Sequence, residues 1–107
     1  MKIEEKLRRK AKKFIQKLGL DELTPYDTYI VRGTLFLEFF WKESFTALDR
    51  NYSYPKYTQY SLSMGVLVSV NLNRHEGICL LKTIGGKGAW DRENCPRLKQ
   101  ILSRYNK

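Results

Sequence analysis

The chain has little of what most small enzymes and metalloproteins are built around. It holds one histidine, His75, and two cysteines, Cys79 and Cys95. A lone imidazole with no second His or paired Cys at ligand spacing argues against a metal site. Two cysteines outside a CxxC pattern are too few for a disulfide scaffold, so reduced thiols in a cytoplasmic protein are the expectation. No apolar run approaches the ~18 residues of a membrane span. No apolar segment follows the basic N-terminus, so neither a signal peptide nor a membrane partner is expected. The glycine loop TIGGKGAW, residues 83–90, lacks the GxxxxGK[ST] spacing and does not lead directly into a helix. It reads as a connector rather than a phosphate loop around Lys87, and no cofactor is expected.

Acid is also scarce, but only at the ends. The 107 residues carry a net charge of +9. Residues 1–18 contribute eight basic and two acidic side chains, and residues 97–107 contribute four basic and none acidic. The stretch 19–96 is nearly neutral, with eight basic and nine acidic residues. Such an asymmetry points to a polyanionic partner.

What is present is period-two patterning. In Tyr60–Leu72, YSLSMGVLVSVNL, the residues Tyr60, Leu62, Met64, Val66, Val68, Val70 and Leu72 alternate with mostly small or polar ones. Successive strand side chains face opposite sides, so this is a long strand with one apolar face. Burying those seven side chains contributes roughly 1.5–3 kcal/mol each, an upper estimate. Upstream, Tyr29, Val31, Leu35, Leu37, Phe39 and Trp41 keep one phase across Gly33. That favours a single strand over 28–41, bent or bulged at Gly33, because Arg32 is a poor first residue for a type I′ hairpin turn. Its second face carries Ile30, Phe36 and Phe40, an unusually apolar set. Exposed, that face would be a binding platform or the seam of a homodimer; a loop over it is the plainer reading. Residues 42–56 look irregular, with a helical turn around Phe45 and Leu48 and then a tyrosine-rich loop. Asn73–Gly77 reads as a hairpin loop and Ile78–Ile84 as the returning strand.

Two amphipathic helices flank these strands. In 3–18, Ile3, Leu7, Ala11, Phe14, Ile15 and Leu18 form an apolar stripe, with Glu4 and Glu5 in the first turn and Gly19 suited to the C′ position. The last helix carries Leu98, Ile101, Leu102 and Tyr105 on one side, with Asn94 expected as N-cap and Pro96 in the first turn. Pro25 bars a helix across the connector 20–27. The expected architecture is a single α+β domain over 1–107. It is a two-layer sandwich, an antiparallel sheet of three to four strands with the N- and C-terminal helices packed on one face in the order α-β-β-β-α.

The candidate functional residues lie on those helices. Opposite the apolar stripe of the first helix stand Lys2, Lys6, Arg9, Lys10, Lys13 and Lys17, with no acid among them. Solvated faces usually mix signs, because like charges at i,i+4 repel. A line of cations that accepts this repulsion fits the spaced phosphates of a nucleic acid, whose condensed counterions it displaces. Arg97, Lys99 and Arg104 would extend the patch if both helices lie on one side of the sheet. A second candidate set is Tyr52, Tyr54 and Tyr57 with Arg50 and Lys56, aromatic rings interleaved with cations. Such rings stack on unpaired bases or anchor a protein interface; packing of a long loop onto the sheet is the bland alternative.

Three functions follow. The leading expectation is a non-catalytic nucleic-acid-binding protein, for DNA or RNA, with little sequence specificity in its phosphate contacts. The alternative is a protein-interaction module, an inhibitor or adaptor docking on an acidic protein surface through its tyrosines. The third is a small RNase using His75 with Arg74, Glu76 and the tyrosines, which no linear spacing supports. The element order and the absence of an RNP-type motif exclude an RRM base platform.

Overall fold

A computed structural model of the chain describes residues 3–49, 53–72, 78–83 and 93–105. The helix α1 spans Ile3–Leu18, and the strands are β1 (Asp27–Val31), β2 (Thr34–Asp49), β3 (Lys56–Asn71) and β4 (Ile78–Thr83). The helix α2 spans Pro96–Tyr105. The strands form one antiparallel sheet in the order β1-β2-β3-β4. The two-layer α+β arrangement with terminal helices is as expected, and the sheet has the larger of the anticipated strand numbers.

The core follows from the period-two pattern. In register, Leu35 faces Val70, Leu37 faces Val68, Phe39 faces Val66 and Trp41 faces Met64. Leu35, Phe39, Met64, Val66, Val68 and Val70 are buried, together with Leu7, Ala11 and Leu18 of α1 and Leu98 and Ile101 of α2. Both helices therefore roof the same face of the sheet. They also meet each other, with the rings of Phe14 and Tyr105 edge to face at 6.0 Å. At the end of α1, Gly19 has a φ of 77°, its N–H donates to the carbonyl of Gln16, and the N–H of Leu20 donates to that of Ile15. This is a Schellman stop, which the expected C′ glycine permits.

Three local expectations are overturned. First, 28–41 is not one bent strand. β1 and β2 form a hairpin, Val31 pairing with Thr34, around Arg32 at φ 49° and Gly33 at φ 78°. Both central residues thus take the positive φ of a type I′ turn, with the penalty at Arg32 offset by the ladder that the turn closes. A two-residue turn pairs odd positions with even ones, so Tyr29 lies beside Phe36 rather than in phase with Leu35. Second, residues 42–49 are neither irregular nor a helical turn. β2 runs on to Asp49 and β3 begins at Lys56, so both are 16 residues long and pair along their whole length. The described residues of 42–56 therefore do not cover Phe36 and Phe40. Third, Asn94 does not cap the last helix. Lys99 donates to the carbonyl of Cys95, which puts Cys95 at the N-cap position, and Pro96 opens the helix as expected. The cap comes from the sheet: the buried carboxylate of Glu43 on β2 accepts the N–H of Arg97 on one oxygen and that of Leu98, at 3.2 Å, on the other.

β1 reaches only to Glu38 along β2, and β4 only to Val66 along β3. Beyond them, residues 42–49 and 56–63 continue as a two-stranded ribbon with no further strand beside it among the described residues. The described structure measures 63 × 25 × 22 Å with a radius of gyration of 16.7 Å. A compact domain of this size has about 13 Å. Strands of 16 residues, at ~3.3 Å per residue, account for about 53 Å of that length. The ribbon is an arm.

Candidate nucleic-acid interface

Four of the predicted cations come together on α1. Lys6, Arg9, Lys10 and Lys13 alone line one shallow depression of about 420 Å³, and Lys6, Arg9 and Lys13 are exposed. Helical geometry places them there: their spacing sweeps the side opposite Leu7, Ala11 and Leu18, which the sheet holds down. Lys17 is exposed one turn farther on, and Lys2 lies outside the described residues. Arg8 and Lys12, not in the predicted arc, are exposed on another flank, where Arg8 pairs with Glu4 at 3.0 Å.

The cations of α2 are placed differently. The two helices share a face of the sheet, but Arg97 pairs with Glu22 at 3.3 Å and the guanidinium of Arg104 lies over Gly19. With the exposed Lys99 they border a separate groove of about 790 Å³, which also holds Glu43. Two carboxylates thus sit among three cations there, and the α1 depression is the purer field.

The tyrosine set lies at the end of the arm. Tyr54 and Tyr57 are 86% and 75% exposed, and Lys56 begins β3 between them. Arg50 and Tyr52 lie outside the described residues, as do His75, Arg74, Glu76 and the glycine loop. Tyr60 is inside the ladder, stacked on its cross-strand partner Phe45 at 5.6 Å. On the sheet face away from the helices, Tyr29 stacks on Phe36 at 5.2 Å and Tyr26 meets Phe40 edge-on at 5.2 Å. Burial there, then the carboxylates of Glu38 and Asp27, raise the Tyr29 phenol above its ordinary value. Phe40 remains 45% exposed.

Among the described residues no group of His, Cys, Asp or Glu is arranged to hold a metal ion, and no helix is long and apolar enough to cross a membrane. Cys95 is fully buried in the core. Comparisons with protein-family models, with curated proteins and with solved structures find no match.

Sequence reasoning missed two features. One is Glu43 as a helix cap, which no local signal announces because its partners are 54 and 55 residues away. The other is the polar side of the arm, for which the alternation of Tyr57-Thr58-Gln59-Tyr60-Ser61-Leu62-Ser63 was the available sign.

Proposed function

We propose that the protein is a small non-catalytic nucleic-acid-binding protein whose α1 helix contacts the phosphate backbone. The observation that carries this reading is the cluster of four cations, Lys6, Arg9, Lys10 and Lys13, on one side of α1, with Lys6, Arg9 and Lys13 exposed. Lys17 extends the line, and Lys99 of α2 adds a lesser contact. These are phosphate contacts, so by themselves they confer little sequence specificity on either DNA or RNA. With about five such contacts, log K falls with log salt at a slope near −4 to −5. Fluorescence anisotropy with a labelled duplex and a labelled single strand, over a salt series, tests this. The Lys6/Lys10/Lys13→Glu variant is expected to lose binding to both. Absence of binding by the parent protein at low salt ends the reading.

One observation favours a second reading, a module docking on an acidic protein surface: the high exposure of Tyr54 and Tyr57 at the arm end. Tyrosines dominate affinity at such interfaces. A Tyr54/Tyr57→Ala variant that loses a partner still bound by the Lys6/Lys10/Lys13→Glu variant would favour it.

A further inference from the structure

The arm has two unlike sides. Toward the helix side lie Glu43, Phe45, Ala47, Thr58, Tyr60 and Leu62, all buried or half-buried. On the other side, ladder partners are Lys42 with Ser63, Ser44 with Ser61, Thr46 with Gln59 and Leu48 with Tyr57, and all eight are exposed. That side carries a lysine, hydroxyls and an amide, with no acid. The helix side of the arm contributes to the fold, since Phe45 and Leu62 pack at the margin of the core; the other side is left to solvent.

We infer that this polar side of the β2–β3 arm enters the major groove of duplex DNA and reads base edges. This rests on the nucleic-acid reading above. The dimensions fit. A B-form major groove is about 12 Å wide and admits a two-stranded ribbon, whose strands are ~4.8 Å apart. The eight-residue arm strands reach roughly 27 Å, about eight base steps. The chemistry fits as well. A glutamine pairs bidentately with adenine, serine and threonine hydroxyls serve either donors or acceptors, a lysine reaches guanine, and apolar tips contact the thymine methyl. Gln59, Thr46, Ser44, Ser61, Lys42 and Leu48 supply those groups. Duplex RNA is a poor occupant, because its A-form major groove is too deep and narrow to be read. Where the arm leaves the sheet, its polar side lies on the face away from α1. The two surfaces therefore act separately: the helix supplies sequence-independent affinity, the arm supplies preference.

The test is selection by the full chain from a pool of duplex DNA with a randomised central segment, at a salt concentration that suppresses weak binding. The expected result is enrichment of a short motif, preferred at least about tenfold over random duplex, as one or two good base-edge contacts provide. The same motif made as duplex RNA competes no better than random RNA. The Thr46→Val/Gln59→Val variant, which keeps strand propensity, is expected to lose the preference while binding random duplex within about twofold of the parent. Its thermal melt reports whether it folds. If it does not, methylation interference at guanine N7 on the parent complex decides, because N7 lies in the major groove. Binding to DNA without enrichment, preference retained by the folded variant, equal preference for the RNA motif, or no N7 interference each overturn the arm's role and leave the helix reading standing. No binding to any nucleic acid at low salt overturns both.

Discussion

The base of the sheet and its arm are made from the same two strands and stabilised in different ways. At the base, the strands lie under the helices and the central positions have neighbours on both sides: Val66 pairs with Phe39 and with Thr83 and is fully buried. In the arm, Phe45 has Tyr60 as its ladder partner and no further strand beside it among the described residues. The same backbone ladder thus yields a core in one place and a ribbon with one exposed side in the other. The difference lies in what covers it, since an isolated hairpin is marginal in water.

The contrast breaks most visibly at the base. Val66→Asp places a carboxylate in a fully buried apolar site with no partner, which costs more than about 4 kcal/mol. Circular dichroism and a thermal melt are expected to show an unfolded chain. A variant that melts like the parent would refute the register of β3.

Glu43 sits at the junction, the arm's first residue on the helix side. Glu43→Ala leaves the N–H groups of Arg97 and Leu98 without their acceptor, a loss of about 1–3 kcal/mol. Urea denaturation measures it, with amide exchange rising first in α2. If α2 exchanges no faster, the tie between sheet and helix is not what holds it.

A smaller effect is expected at the end of α1. Gly19→Ala puts a Cβ 2.5 Å from a nitrogen of Arg104 at a φ of 77°. The arginine tip moves at little cost, so the backbone penalty dominates, about 1 kcal/mol. A drop of a few degrees in the melting midpoint checks it.

The base was legible in the sequence because its signals are local and redundant. Alternation from Met64 to Val70 marks the buried side of β3, and the stripe Leu7-Ala11-Leu18 marks that of α1. The arm was hidden because the alternation Ser44-Phe45-Thr46-Ala47 is short and Leu48, on the exposed side, interrupts it. The β1–β2 hairpin was hidden by Arg32, whose positive φ is not signalled by residue type. For the candidate site, helical periodicity was enough to gather Lys6, Arg9, Lys10 and Lys13. It gave no sign that Arg97 is paired with Glu22, a contact 75 residues apart in sequence.

The smallest effect is expected in the arm itself and tests whether arm and base are separate units. Phe45→Ala removes the ring stacked on Tyr60, a cross-strand pair worth roughly 0.2–1 kcal/mol. Phe45 packs only at the margin of the core and is half-buried, so the global melt is expected to shift by no more than a few degrees. Local opening, read by hydrogen exchange of the amides in 42–48 and 57–63, is expected to rise by up to about fivefold, the equivalent of ~1 kcal/mol. If protection at Val66 and Val68 falls by the same factor, arm and base open together. The ribbon would then be an extension of the core rather than a free-standing element carried by it.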